Sequence, residues 1–274
     1  MPIIDLVILL GTGIGIGFIS GLLGIGGGII MIPVQYWIYT SGGMSPDIAI
    51  KLSFATSLAV VLPTAASGVL RHQQLGNINW KAAIYMGIFT AISSFIGASI
   101  TAHVPGFALK IAFGAVAILV AIRMFTVKVS EEERPVKENR WLWFGIACGI
   151  GLVSGMVGIG GGIFVVPALV LVLGFRTRIA AATSLAMVIF TSVGGIAGYI
   201  VNGLNVAGLP EHTVGYFYWP AWVALAIGSI GTAQIGATVA HKVPTRLLNF
   251  MLVLLLVYIG LDMLGAISWL SSKF

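Results

Sequence analysis

Charge is what this chain has least of. Lys, Arg, Asp and Glu make up 8% of its 274 residues, where a soluble domain carries about 25%. No soluble protein of this size could hide the 58% of residues that are hydrophobic, so the solvent of most of the chain is lipid. Cysteine is nearly absent as well. The single Cys148 excludes an intrachain disulfide and a Cys-rich metal site, and reads as a small apolar packing residue. His72, His103, His212 and His241 lack metal-ligand spacing. No nucleophile–base pair or carboxylate pair suggests catalysis, so no enzyme activity, metal or cofactor is expected. Alternation of period two with aromatic girdles is also missing, which argues against an outer-membrane barrel. The start, MPIIDLVILL, has no basic n-region, and no cleaved signal peptide is expected.

What the chain does have is long apolar runs. Candidate spans cover residues 3–23, 50–70, 80–101, 107–125, 141–159, 179–200, 215–240 and 246–268. Each is near the ~20 residues a helix needs to cross the hydrocarbon. The net charge of +6 is no nucleic-acid footprint, because the basic residues sit in short loops between spans, as membrane orientation requires. The expected fold is an all-α integral membrane protein in the cell membrane.

The chain also repeats itself. Gly17 to Pro33 reads GFISGLLGIGGGIIMIP, and Gly151 to Pro167 reads GLVSGMVGIGGGIFVVP. Ala55-Thr56-Ser57-Leu58-Ala59 matches Ala182-Thr183-Ser184-Leu185-Ala186, and Ile96-Gly97-Ala98 matches Ile235-Gly236-Ala237. Pro105 and Pro244 follow in turn. The order of features is the same in both halves, so the chain divides into an N-terminal transmembrane repeat (1–126), a charged linker (127–140) and a C-terminal transmembrane repeat (141–274), each repeat with about four spans. Paired glycine-broken helices are the sequence pointer to a transporter built from internal repeats.

Counting Lys and Arg separates two topologies. If each glycine-rich segment crosses the membrane once, the basic residues divide eight against six between the two sides. If each turns back, so that 1–45 and 141–176 are hairpins, Lys51, Lys110 and Lys273 face eleven others. The second split is the one the positive-inside rule favours. It predicts inverted repeats, re-entrant glycine-rich segments, a cytoplasmic linker and both termini outside. The opposing observation is length: Ile29–Thr40 has about 12 residues, ~18 Å of helix, short of a ~30 Å core.

Glycine triplets suit a ligand site. Without Cβ the backbone takes angles closed to other residues and lets a ligand approach. Such a break survives in a membrane only inside protein or beside a water-lined cavity. A helix restarting after it offers free N–H groups and a positive dipole end, a cradle for an anion. The candidate substrate-binding residues are therefore Gly26, Gly27, Gly28, Gly160, Gly161 and Gly162, with Thr56, Ser57, Thr183 and Ser184 as hydroxyl donors inside the spans. Pro33 and Pro167 mark the structural breaks. Gly13, Gly17, Gly21, Gly151 and Gly155, spaced by four, read instead as helix-packing faces. The opposing reading of the hydroxyls is that they bond their own preceding carbonyls.

Lys51 and Arg178 each stand five residues before their Thr. They are candidate vestibule cations, gathering anions by long-range attraction, or else side chains that snorkel at a span end. Gln234 and Asn249 read as helix bridges. Asp262 is a candidate proton carrier, but Arg123 stands in its place in the other half and its position near a span end favours exposure.

At the duplicated SGxxGIGGGxxxxP segments, each followed by ATSLA, the chain resembles the sulfite exporter TauE/SafE family, also called the toluene-sulfonate uptake permease family. The family's motif positions carry over to Gly24, Gly26, Gly27, Gly28, Pro33, Gly158, Gly160, Gly161, Gly162 and Pro167. The resemblance implies a membrane transporter of small sulfur-containing or organic anions such as sulfite, sulfonates or sulfoacetate. An exporter working by alternating access, with the anion between the two breaks, is the expected function. A channel-like anion pathway, or an uptake permease for another small organic anion, is the alternative. The expected partners are the anion and the bilayer, with no nucleic acid; a homo-oligomer is compatible with the sequence.

Overall fold

The computed structural model describes residues 3–23, 27–74, 76, 78–126, 136–239 and 245–266. The chain is almost wholly helical. The first half contains α1 (Ile3–Leu23), α2 (Gly28–Ser41), α3 (Pro46–Gln74), α4 (Trp80–His103) and α5 (Gly106–Thr126). The second contains α6 (Arg140–Val157), α7 (Gly162–Pro167) continued by a π-helix (Ala168–Val172), α8 (Thr177–Gly203), α9 (Trp219–Val239) and α10 (Thr245–Met263). A short hairpin pairs β1 (Thr213–Val214) with β2 (Phe217–Tyr218) just before α9. Among the described residues, six helices are long and apolar enough to span a membrane.

Local chemistry sets the ends. The Asn79 carboxamide accepts the Ala82 N–H and starts α4; Asn139 accepts those of Trp141 and Leu142 and starts α6. Such caps satisfy donors that a helix leaves open at its N-terminus. The lateral surface is lipid-compatible: on α4, Ile84, Ile88, Ile92 and Ile96 are exposed, while Ala83, Gly87, Thr90, Ser94 and Ala98 on the opposite face are buried.

Helix α3 and helix α8 form the centre. From Ala49 to Val61 nearly every side chain of α3 is buried, as expected of a helix that is apolar all round. The two cross each other at paired small-residue notches. Gly68 meets Leu185, and Gly195 meets Leu58. Numbers rise on one helix as they fall on the other, so α3 and α8 run antiparallel. In the register of the repeat, Leu58 corresponds to Leu185 and Gly68 to Gly195. The crossing is thus the same contact made twice.

The outer helices exchange between halves. In α1, Gly13 and Gly17 lie against the backbone of Leu225 and Ser229 on α9; in α6, Gly151 and Gly155 lie against Thr90 and Ser94 on α4. Gly17 and Gly151 are equivalent, as are Ser229 and Thr90, so this contact too occurs twice. A Cβ on Gly151 would fall 2.6 Å from the Thr90 carbonyl oxygen, which is why these glycines pack the helices rather than bend them.

Directions follow from the same pairs. Helix α1 runs parallel to α9, and α9 parallel to α3, through Thr56–Tyr218, Ala59–Trp222 and Thr64–Ser229. Helices α4, α6 and α8 are mutually parallel, through Thr90–Gly151, Ser94–Gly155, Ala91–Gly194 and Phe95–Gly198. Since α1 and α3 point the same way, α2 brings the chain back between them. It is 14 residues long, or ~21 Å. Its counterpart, Gly162–Val172, measures ~16 Å.

Candidate functional site

Both short helices start from left-handed glycines. Helix α6 ends on Gly158 (φ 72°), whose N–H returns to the Ser154 carbonyl. The chain then passes Gly160 (φ 84°) and Gly161 (φ 82°) before α7 begins. Helix α2 begins after Gly27, at φ 69°. An L side chain is strained at such angles, so the triplet is a backbone requirement. Neither helix has a side-chain N-cap. The Gly27 carbonyl instead accepts from Ile30 and Met31, and that of Gly161 from Phe164 and Val165. The candidates Gly26 and Gly24 lie outside the described residues.

The two breaks meet. A Cβ placed on Gly28 would sit 2.9 Å from the Ile159 carbonyl oxygen and 3.1 Å from its Cα. The second break also lies against the crossing helices: Gly158 abuts the Phe54 backbone, and Gly160 touches Val61 of α3 and Val188 of α8. The glycine segments are therefore packed at the α3–α8 crossing, where only chain without Cβ atoms fits.

The four candidate hydroxyls are buried at 0% exposure, and they do not behave as ordinary membrane-helix hydroxyls. Ser53, Thr64, Thr101 and Thr191 each donate to the carbonyl four residues back. The candidates bond to other elements. Thr56 Oγ1 accepts the Tyr218 N–H at 3.2 Å, and Thr183 Oγ1 accepts the Asn79 N–H at 3.1 Å. In the repeat register Asn79 corresponds to Tyr218, so each half's threonine caps the entry to the other half's fourth helix, α9 or α4. Ser57 Oγ accepts from Gln35 Nε2 at 2.9 Å, and Ser184 Oγ donates to the Gly162 carbonyl at 3.5 Å.

The structure does not bring all four hydroxyls to one point. Thr56 and Thr183 each precede the crossing by about two turns, on antiparallel helices. At 1.5 Å per residue they stand roughly 20 Å apart. Gly160, against Val61 and Val188, lies between them, with one Thr-Ser pair on either side.

The two candidate cations differ. Lys51 is 5% exposed. Its Nζ lies 2.9 Å from Asp47 Oδ2 and 3.0 Å from the Ala102 carbonyl, and 6.0 Å from the centre of the Tyr216 ring. Arg178 is exposed. Gln234 bridges α9 to α3 through Ser67 Oγ at 3.0 Å. Asp262 is exposed, and the Asn249 side chain lies outside the described residues. Pro33 and Pro167 both lie inside the short helices; only the second is followed by a π-helix.

A buried amide on α2 escaped the sequence reading. Gln35 is 0% exposed on α2. Besides Ser57, it bonds the Met31 carbonyl and accepts the Tyr39 hydroxyl at 3.0 Å. An amide within the apolar run Ile29–Thr40 was a visible signal, but its repeat counterpart is Leu169, so a search for duplicated features passes over it.

Bilayer-spanning helices crossed by paired broken segments define a multi-pass membrane protein of transporter type. The chain belongs to the sulfite exporter TauE/SafE family, whose model matches residues 9–263. It is 32% identical over 260 residues to a probable membrane transporter protein of Methanocaldococcus jannaschii, covering 92% of this chain and 93% of that one. A probable membrane transporter protein of Haemophilus influenzae is 27% identical, with 90% and 93% covered. Bacillus subtilis YunE, another probable membrane transporter protein, is 23% identical, with 94% and 97% covered. No solved structure matches.

Proposed function

We propose that this transporter exports small sulfur-containing or organic anions, of the sulfite, sulfonate or sulfoacetate type, by alternating access. The observation that carries the reading is the backbone contact between the two glycine breaks at the α3–α8 crossing. Backbone N–H groups of Gly27–Gly28 and Gly160–Gly162 would hold the anion there, between elements related by pseudo-two-fold symmetry. Thr56-Ser57 and Thr183-Ser184 would serve as stations on either side of it. Rocking of one half against the other would open the centre to each side in turn.

Inverted repeats are part of this proposal. The support is the antiparallel crossing of equivalent helices, the return of α2 between two parallel spans, and the three-against-eleven division of basic residues. The linker 127–140 then lies in the cytoplasm and both termini outside. Arg178 faces the cytoplasmic vestibule as an anion-gathering charge, and Lys51 lies at the outer end of α3. A negative-inside potential drives a monoanion outward by ~2.3 kcal/mol per 100 mV, so export needs no obligatory proton relay.

Labelled sulfite, methanesulfonate and sulfate, offered to proteoliposomes with and without an imposed potential or pH gradient, test the reading. Saturable movement of one anion supports it, and gradient dependence identifies the coupling. Movement that never saturates would favour a channel-like pathway. No movement of any of the three by folded protein would discard the substrate class.

A further inference from the structure

Three hydroxyls in the described residues are fully buried and meet no hydrogen-bond partner: Ser94 on α4, Ser154 on α6 and Ser192 on α8. A buried hydroxyl without a partner loses what water supplied and weakens the fold. They come from three helices but border one place. A Cβ on Gly161 would lie 3.2 Å from Ser154 Oγ. A Cβ on Gly195, one turn beyond Ser192, would lie 2.8 Å from Ser94 Oγ. One turn before Ser192, Val188 faces Gly160, and Gly155, beside Ser154, rests on the Ser94 backbone. The contacts thus run in a ring that begins at Gly160 and returns to Gly161.

Packing does not demand hydroxyls at these positions. In the register of the repeat, Ser192 corresponds to Ala65 and Ser94 to Ala233, and both alanines are buried. Only Ser154 has a hydroxyl counterpart, Ser20. Two of the three equivalent positions around the first break therefore carry a methyl group.

We infer that Ser94, Ser154 and Ser192 are the donors of an anion station on the second glycine break, selective for monoanions over dianions. The inference rests on the transport reading above. Three O–H donors suit the oxygens of a bisulfite or sulfonate head. The charged residue buried in the described interior is Lys51. It stands two turns before Leu58, ~10 Å along α3, and is bonded to Asp47. With no cation in the ring, the dehydration of a second negative charge goes uncompensated.

The test combines stability and transport in Ser94→Ala, Ser154→Ala, Ser192→Ala and the triple variant, with Ser20→Ala as the first-half control. In anion-free detergent the Ser94→Ala, Ser154→Ala and Ser192→Ala variants should each melt at or above the temperature of the parent, because a partnerless hydroxyl has been removed. In proteoliposomes the KM for sulfite should rise about tenfold for each hydroxyl lost, from the strength of a hydrogen bond to a charged group, and Ser20→Ala should leave it nearly unchanged. Uptake of sulfite should increase as pH falls and the monoanion accumulates, uptake of methanesulfonate should stay level, and sulfate should be rejected. A triple variant with the parent's KM overturns the station while leaving the transport reading in place. So do variants whose melting temperature falls in step with activity, which marks the serines as structural. Preference for sulfate, or for the sulfite dianion, overturns the charge selection. If the parent protein moves none of the three anions, the transport reading fails and the station fails with it.

Discussion

The two halves share a backbone and differ in chemistry. Both have a left-handed glycine break, a short helix with a proline, a threonine that caps the opposite half, and glycine notches on the same helices. Along the short helix, however, Gln35 and Tyr39 in the first half face Leu169 and Leu173 in the second, all of them buried. Lys51 is clamped by Asp47, whereas Gly174 stands where the partner of Arg178 would be. Among the described residues, partnerless serines collect around the second half's break and not around the first. The positions that match are those where the backbone itself must fit, and the side chains facing the interior are those that differ.

The largest effect is expected where the halves agree. Gly28→Val and Gly161→Val should each abolish anion flux in proteoliposomes. The first drives a side chain into the Ile159 backbone, and the second forces a β-branched residue to φ 82°. Flux surviving in one of them would show that a single break suffices. Next comes the cation pair. Asp47→Ala leaves Lys51 buried without its carboxylate and should cost about 2 kcal/mol in chemical denaturation. Arg178→Met should change stability by less than about 0.5 kcal/mol but lower flux from the cytoplasmic side. Equal destabilisation would erase the contrast between them.

Gln35→Leu, which gives the first half the second half's residue, strands the Ser57 and Tyr39 hydroxyls and should cost about 1–3 kcal/mol. The reciprocal Leu169→Gln buries a new amide and should also destabilise, so the two exchanges are not compensating. Thr56→Val and Thr183→Val should each cost about 1 kcal/mol; unequal losses would mean that the two caps are not equivalent. The smallest effect belongs to Lys81, which pairs at 2.8 Å with Glu138, both side chains exposed. The ammonium holds the Glu138 carboxyl below its ordinary value. What the pair contributes is present above the unfolded carboxylate range and fades as pH falls through the folded one. Lys81→Ala should leave the melting midpoint at neutral pH unchanged.

Long uninterrupted apolar runs made the spans readable: helices α1, α3, α4, α5, α6, α8, α9 and α10 each coincide with one. The Asn79 and Asn139 caps show why boundaries near them were sharp, and the packing role of Gly17 and Gly151 followed from four-residue spacing. Which helix packs against which was not readable, because it depends on which notch meets which ridge. Nor were Gln35, Ser94 and Ser192, since a search for repeated features discards what one half has alone, whereas Ser154 repeats as Ser20 but sat beside glycines read as a packing face. Asp47 and Lys51, four residues apart, could have been read as a pair. The repeated position of Lys51 and Arg178 suggested a shared role, whereas their surroundings differ.

The exchange of helices between the halves has a consequence for how the protein is made. The glycine face of helix α1 finds its packing partner in α9, nearly two hundred residues later in synthesis. At translation rates of roughly 5–20 residues per second, it waits on the order of ten to forty seconds in the membrane with its glycine face uncovered. Neither half can be finished before the other is inserted, so quality control must tolerate an incomplete first half until the last helices arrive.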